Sequence, residues 1–170
     1  MARAWDVPGL VGRARFRDAA GRVILTRWRE MMSYRDGTLL GEDIEELHAM
    51  RVSSRRLRAA MDAFEGAFPA KSYKGYVRQV KEITDVLGDA RDLDVAIERL
   101  TDLLPGMQED ERPGVEGLIA RYRDERGAED PHIAALFARL DEERFERRLN
   151  RYVNKHTGVH LAMLKPKPPA

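Results

Sequence analysis

The sequence contains no cysteine among its 170 residues. This absence excludes a disulfide framework, a zinc site built from thiolates and a cysteine nucleophile. It agrees with a reducing compartment, so we expect a cytoplasmic protein. No apolar run approaches the roughly 20 residues that cross a bilayer, and the segment MARAWDVPGL at the start lacks the apolar core of a signal peptide. We therefore expect no membrane association.

Motifs of catalysis and of nucleotide binding are also missing. The sequence has no P-loop, no HExxH motif and no adjacent His–Asp pair. Two Glu-x-x-His pairs, Glu45 with His48 and Glu129 with His132, match the ligand pairs of di-iron helical bundles. That site needs two further inward glutamates, and the arginines near His48 would repel a divalent cation. Pro131 is also expected to place His132 at the start of a helix. We therefore expect no metal, no other cofactor and no enzymatic activity, with a metal-dependent helical bundle as the weaker alternative.

The composition and the apolar spacing indicate a helical protein. A chain of this length suits one domain with a real core, and a charged fraction of 35% with 43% apolar residues is typical of amphipathic helices. Apolar residues recur at steps of three and four, and no segment alternates as a strand does. We predict an all-α fold, an antiparallel bundle of about six helices with basic faces on the second and third. The expected domain covers residues 10–160, between a lead-in at 1–9 and a Lys- and Pro-rich tail at 161–170.

Glycine, proline and capping residues set the expected helix boundaries. Asp43 is placed to cap the second helix. Gly88 is placed to end the third helix and Asp89 to cap a fourth, which would make this segment a tight corner. Gly127 to Pro131 are expected to separate the fifth helix from the last. The predicted helices cover approximately residues 10–34, 43–68, 71–88, 89–104, 113–126 and 132–155, the last divided or kinked near Asp141.

The most distinctive segment, HAMRVSSRRLR, runs from His48 to Arg58. With about 100° of rotation per residue in a helix, its cationic residues share one face: His48, Arg51, Arg55 and Arg58. Apolar residues occupy the opposite face. Stacked like charges destabilise a helix, so the cationic face is a candidate anion site, with a solvated basic face as the alternative.

A second cationic stripe follows on the third predicted helix, at Lys74, Arg78 and Lys81. The window from Leu47 to Lys81 carries a net charge of +6, whereas the whole chain carries +1. Such segregation of charge is harder to explain by solubility alone. It favours a polyanionic ligand.

A third basic stripe lies near the end of the chain and is interpreted differently. Its members share one face of the last helix: Arg144, Arg148, Arg151 and Lys155. Three glutamates stand among them in the sequence: Glu142, Glu143 and Glu146. Their proximity favours a solvated surface over a binding site.

The two motifs of the middle region resemble the signature of a known family. The first has the pattern HxxRVxxRRxR, formed by His48, Arg51, Val52, Arg55, Arg56 and Arg58. The second, LGDARDLD from Leu87 to Asp94, is similar to the LGxxRDLDV stretch that follows in that family. Both occur in the right order with a helix between them. The chain thus resembles the CHAD domain, the conserved histidine α-helical domain.

The resemblance implies a helical bundle that binds inorganic polyphosphate along a basic channel, without catalysis. The expected phosphate contacts are Arg51, Arg55, Arg58, Lys74, Arg78 and Lys81. Arg56 is a less central candidate, because it lies about 100° around the helix from Arg55. His48 either donates a hydrogen bond to phosphate or is satisfied by a neighbouring helix. Arg91 either reaches the ligand or pairs with Asp92, and the pairing is favoured.

A full CHAD domain has two helical halves, each with its own histidine–arginine helix, and this chain shows one clear copy. It therefore resembles a half-length or single-repeat member. Two copies facing each other could complete a basic channel, so we expect a homodimer. The candidate contact residues are apolar: Trp28 and Met31 in the first helix, and Phe145 and Leu149 in the last.

Two other binding functions remain open from the residues alone. Basic helices can bind the phosphate backbone of nucleic acid without reading sequence, but no groove-reading motif appears and the basic faces have few aromatic residues for stacking. Nucleic acid is therefore a less favoured ligand. An acidic protein partner is the other alternative.

Overall fold

The computed structural model describes residues 3–165, and within them every regular element is helical. The all-α prediction is therefore confirmed. Five long helices and one short helix replace the six predicted ones. They are α1 (Phe16–Met32), α2 (Arg35–Leu40), α3 (Ile44–Ala63), α4 (Ala70–Leu103), α5 (Arg112–Glu142) and α6 (Phe145–Thr157), with 3-10 turns at Glu65–Ala67, Leu104–Gly106 and Leu161–Met163.

The helices pack in pairs around one core. α1 packs against α3 and α6, α3 packs against α4, and α4 packs against α5. Each of the five long helices contributes its apolar stripe, as the three- and four-residue spacing predicts. The largest fully buried side chains include Trp28 in α1, Met61 in α3, Ile83 in α4, Phe137 in α5 and Phe145 in α6. Each such burial stabilises the fold by about 1.5–3 kcal/mol.

The predicted corner at Gly88 is wrong, because α4 continues through it for 34 residues. Glycine inside a helix costs about 1 kcal/mol relative to alanine. Leu87 and Ala90 flank this glycine and are fully buried in the core. Their burial outweighs the cost of the glycine, so the third and fourth predicted helices form one helix and Asp89 caps nothing.

The predicted break from Gly127 to Pro131 is also wrong, because α5 runs continuously from Arg112 to Glu142 with Pro131 inside it. An internal proline costs about 3 kcal/mol. The next two turns bury Ile133, Leu136 and Phe137 against the core, and each is worth about 1.5–3 kcal/mol. The chain therefore stays helical, and His132 lies in mid-helix rather than at a helix start. The predicted division near Asp141 is confirmed, since α6 begins at Phe145.

Two arginines of α1 bind the segment that precedes this helix. Arg27 donates to the carbonyl of Trp5 over 2.9 Å, and Arg22 donates to that of Pro8 over 3.0 Å. α1 itself begins at Phe16, six residues later than expected from Leu10. Past α6, in the segment expected to be tail, Leu161 and Leu164 pack into the core. Of the predicted tail, residues 166–170 lie outside the described range.

The start of α3 is capped as predicted. The Asp43 carboxylate accepts a hydrogen bond from the Glu45 amide over 2.8 Å, which satisfies one of the free amides of the first turn. No helix in the described range is both long enough and apolar enough to cross a bilayer.

Candidate functional site

α3 and α4 pack side by side, and two adjoining cavities lie between them. One, of about 420 Å³, is lined by residues of both helices that include Arg58, Lys74, Arg78 and Lys81. The other, of about 530 Å³, is lined by Arg51, Arg55, Arg58 and Thr84 among others. Arg58 and Asp62 line both cavities, which makes them one continuous depression, the α3–α4 cleft. The structure thus brings together the six cations expected to contact phosphate.

The cleft carries more positive than negative charge. Three acidic side chains share it with the six cations: Asp62, Glu65 and Asp85. The Lys81 ammonium lies 3.5 Å from the Asp85 carboxylate. Within the described residues, the following cations form no ion pair with an acid: Arg55, Arg58, Lys74 and Arg78. Their charge is therefore available to an anion that enters the cleft.

The floor of the cleft includes a buried tyrosine, Tyr73 of α4. Its hydroxyl donates to the carbonyl of Met61 over 2.9 Å, which ties α4 to the end of α3. Burial raises the pKa of this phenol, and the nearby Asp62 carboxylate raises it further. Its ring stacks on Phe68 with centroids 4.5 Å apart. Tyr73 therefore fixes the spacing of the two helices at the cleft.

Arg51 is half-buried, unlike the exposed Arg55 one turn later. Its guanidinium lies across α4 at Gly88, where a Cβ would come within 3.2 Å of the arginine Nε and Nη2 atoms. Its Nη1 is buried and has no hydrogen-bond partner within the described residues. The glycine of the second motif thus makes room for an arginine of the first, a role that the predicted corner did not anticipate.

Arg91 lies one turn beyond Gly88, and its ion pair differs from the one expected. Its nearest carboxylate is that of Glu98 at 3.8 Å rather than that of Asp92, so the favoured pairing is wrong. Arg91 is 14% exposed, and its Nη1 lacks a hydrogen-bond partner among the described residues. It does not belong to the residues that line the cleft.

The last residue of the second motif, Asp94, joins α4 to α5. The Nε of Arg126 donates to its carboxylate over 2.9 Å, and Asp94 is 8% exposed. Burial raises the pKa of Asp94, whereas the charges of Arg126 and Arg91 oppose that shift. Sequence reasoning missed this contact, because Arg126 is 32 residues away and belongs to no motif.

Arg56 points away from the α3–α4 cleft. Its guanidinium donates to the carboxylate of Glu30 over 2.8 Å, and Arg27 pairs with the same carboxylate. Glu30 is fully buried in α1. An ionised carboxylate in that position requires charged partners, so Arg56 is engaged with α1, although its side chain remains 27% exposed. It does not line the α3–α4 cleft.

His48 is half-buried one turn before Arg51 and does not line the cleft. Within the described residues it forms no hydrogen bond or ion pair. The expected bond to a neighbouring helix is therefore not formed within the described residues, and the expected bond to phosphate stays a prediction. The other Glu-x-x-His pair is on the surface, with His132 Nδ1 3.3 Å from the Glu129 carboxylate. Among the described residues no cluster of three or more His, Cys, Asp or Glu side chains could hold a metal ion.

The residues expected to form a dimer contact lie inside the subunit. All four are at most 1% exposed and belong to the core: Trp28, Met31, Phe145 and Leu149. They cannot form a surface between two copies, so this expected interface is wrong. The expectation of a dimer itself remains a prediction.

Comparison with known proteins gives one match. A family model described as the CHAD domain matches residues 22–169, which covers nearly the whole chain and both motifs. Searches of curated proteins and of solved structures found no match.

Proposed function

The chain belongs to the CHAD domain family, and we propose that it binds inorganic polyphosphate in the α3–α4 cleft. The observation that carries this proposal is the convergence of six cations from two helices on one depression. Three come from α3 and three from α4, and most have no acidic partner within the described residues. A linear polyanion is the ligand class that complements such an array.

The spacing of the cations suits a repeating ligand. Successive helix turns lie about 5.4 Å apart, so Arg51, Arg55 and Arg58 present charges at regular intervals along α3. The arginine fork binds two phosphate oxygens at once, whereas a lysine acts as a point charge. Lys74, Arg78 and Lys81 face them from α4. The three cations of α3 and the three of α4 thus contact the ligand from the two sides of the cleft.

The proposed activity is binding without turnover. Phosphoryl transfer usually needs carboxylates that hold a metal ion beside a cationic clamp. The acids of the cleft are dispersed among cations, and Asp85 is paired with Lys81. The residues that line the cleft therefore include the cations that clamp phosphate but no group of carboxylates placed together to hold a metal ion.

A pull-down on immobilised polyphosphate tests the proposal. The protein should bind the resin at low salt, and soluble polyphosphate should release it at lower phosphate concentration than duplex DNA or heparin does. Preferential release by DNA would support the nucleic-acid alternative. Failure to bind any of the three polyanions would refute the proposal and leave an acidic protein partner as the alternative.

An assay of phosphate release tests the second half of the proposal. The protein should release no phosphate from polyphosphate or ATP above a boiled-protein blank, with or without magnesium. Release above that blank would show turnover and contradict a purely binding role.

We also propose that two copies combine to enclose the ligand, because the cleft of one copy is open to water, where salt screens each phosphate contact. Polyphosphate that bridges two clefts should then favour the dimer by linkage. Light scattering with and without polyphosphate tests this. A monomer in both conditions that still binds polyphosphate would show that one open cleft is sufficient.

A further inference from the structure

The basic stripe of α6 is less neutralised than its sequence indicates. Glu146 does not face the stripe, because its carboxylate accepts a hydrogen bond from Trp28 Nε1 over 2.9 Å on the side of α1. Glu143 pairs with Arg148 over 2.9 Å. A depression of about 310 Å³ on this surface is lined by one glutamate and four arginines: Glu143, Arg144, Arg147, Arg148 and Arg151.

Most of these arginines are unpaired. Arg144, Arg147 and Arg151 are exposed and form no ion pair within the described residues. Apolar residues on the opposite face of α6, such as Leu149 and Val153, are fully buried. The core therefore fixes the rotation of the helix and holds the arginines outward together. We call this surface, Arg144 to Arg151, the α6 patch.

The α6 patch and the α3–α4 cleft lie on opposite flanks of α4. Ser72 and Gln79 face α6, since Ser72 lies 3.0 Å from the Tyr152 hydroxyl and Gln79 accepts from Arg148 over 3.2 Å. Lys74 and Arg78 face α3, since both line the cleft. One helix thus separates the two basic surfaces.

The outer face of α4 between these flanks is open at Gly75. Glu82, an acid on the same face one turn beyond Gln79, pairs with Arg139 over 2.7 Å. At about 100° per residue, the path from Gln79 round to Arg78 passes Gly75 and Lys71. A Cβ added at Gly75 would meet no atom within 4 Å. Lys71 is exposed. An extended anion can therefore cross α4 at Gly75, where the acids nearest to the path are each paired with an arginine: Glu82 with Arg139 and Glu143 with Arg148.

The geometry points to one continuous track: the polyanion-binding surface runs from the α3–α4 cleft over α4 at Gly75 to the α6 patch. This inference rests on the proposed function and adds a preference for long chains. α3 and α4 pack as neighbours, and the axes of neighbouring helices lie about 8–10 Å apart. Because α6 lies on the far side of α4, a ligand that reaches from α3 to α6 spans about 20 Å or more. Tripolyphosphate occupies only one end of the track, whereas a long chain occupies all of it.

Two variants test the track, with tripolyphosphate and a long-chain polyphosphate as probes. The double variant Arg147→Gln with Arg151→Gln should weaken long-chain binding about fivefold to tenfold and tripolyphosphate binding less than about twofold, because each lost phosphate contact reduces affinity for the chain that reaches it. The matched control removes two equally exposed arginines far from the track, Arg99→Gln with Arg123→Gln. It should change neither affinity beyond about twofold.

A single substitution at Gly75, on the outer face of α4, distinguishes direct contact of the polyanion with the track from long-range electrostatic attraction. Gly75→Glu places an acid midway along the track, and Gly75→Gln is its neutral match in the same open space. Gly75→Glu should lose most of the preference for long chains, whereas Gly75→Gln should keep it. Circular dichroism checks that all variants remain helical.

The outcomes distinguish this inference from the proposed function. If the α6 double variant keeps full long-chain affinity, or loses affinity for both probes by the same factor, the track is wrong while binding in the cleft stands. The same holds if Gly75→Glu and Gly75→Gln bind alike. If the parent binds neither probe, the proposed function fails and the track fails with it.

Discussion

Gly88 of α4 lies directly under the guanidinium of Arg51 of α3. A Cβ at residue 88 would come within 3.2 Å of two atoms of that arginine, closer than an unstrained contact allows. The HxxRVxxRRxR motif and the LGDARDLD motif therefore meet in space, the first providing the cation and the second the room for it. This contact positions Arg51 at the end of the α3–α4 cleft.

Gly88→Ala should raise the helix propensity of α4 and weaken polyphosphate binding. Alanine gains up to about 1 kcal/mol in a helix interior, and part of that gain is lost in displacing Arg51. We expect polyphosphate affinity to fall by about twofold to fivefold, as the moved guanidinium loses its bidentate alignment. Calorimetry and thermal unfolding measure the two effects separately. Gly114→Ala, at an open helical position, is the control, and equal affinity of both variants would contradict the assignment.

Arg56→Gln should affect stability and leave binding unchanged. It removes one of the two arginines that hold the buried carboxylate of Glu30. Because Arg27 remains, we expect a loss of about 2 kcal/mol in unfolding free energy. Arg55→Gln, one residue earlier and exposed, should show the reverse pattern. If Arg56→Gln binds polyphosphate more weakly per folded molecule, Arg56 contacts the ligand after all.

Asp62→Asn should strengthen polyphosphate binding. Asp62 lines both cavities and forms no ion pair within the described residues, so its charge opposes the ligand. We expect a gain of about twofold to fivefold at low ionic strength that shrinks as salt screens the charge. Asp102→Asn, an exposed acid near the end of α4, should have no effect. An unchanged affinity for Asp62→Asn would place the ligand elsewhere.

Tyr73→Phe should change how stability depends on alkaline pH. Burial raises the folded-state pKa of Tyr73 above 10.0, its ordinary value. At high pH the folded state keeps the Tyr73 proton, whereas the unfolded state loses it. The free energy of unfolding of the parent protein therefore falls as pH rises above about 10. At neutral pH the variant should lose about 1 kcal/mol with the hydrogen bond to Met61. Denaturant titrations from pH 8 to 11 give the free energy of unfolding of the parent and of the variant. If the difference between the two does not change with pH, the pKa of Tyr73 is not raised in the folded state.

The cation set of the cleft could be predicted from sequence because helical periodicity fixes which residues share a face. Arg51, Arg55 and Arg58 are related by whole turns, and so are Lys74 and Arg78. Periodicity holds whatever the tertiary environment, which is why the members of each stripe line the same cleft in the structure. Their contact with phosphate stays a prediction.

The partners of individual charges could not be predicted, because they depend on long-range packing. Arg56 meets Glu30 across 26 residues, and Trp28 meets Glu146 across 118. Long-range packing is also the reason why the helix breaks predicted at Gly88 and Pro131 are wrong. Local propensity favours a break there, and the burial of neighbouring apolar residues overrides it.

The salt dependence of polyphosphate affinity in an Arg55→Gln and Arg58→Gln double variant tests the central claim most directly. Binding to the parent should fall linearly in log affinity with log salt, as released counterions require. The double variant should bind more weakly, with a slope flatter by about 1.4 if each arginine neutralises one phosphate. The Arg99→Gln and Arg123→Gln control should match the parent. A double variant with the affinity and slope of the parent would show that polyphosphate does not bind in the α3–α4 cleft.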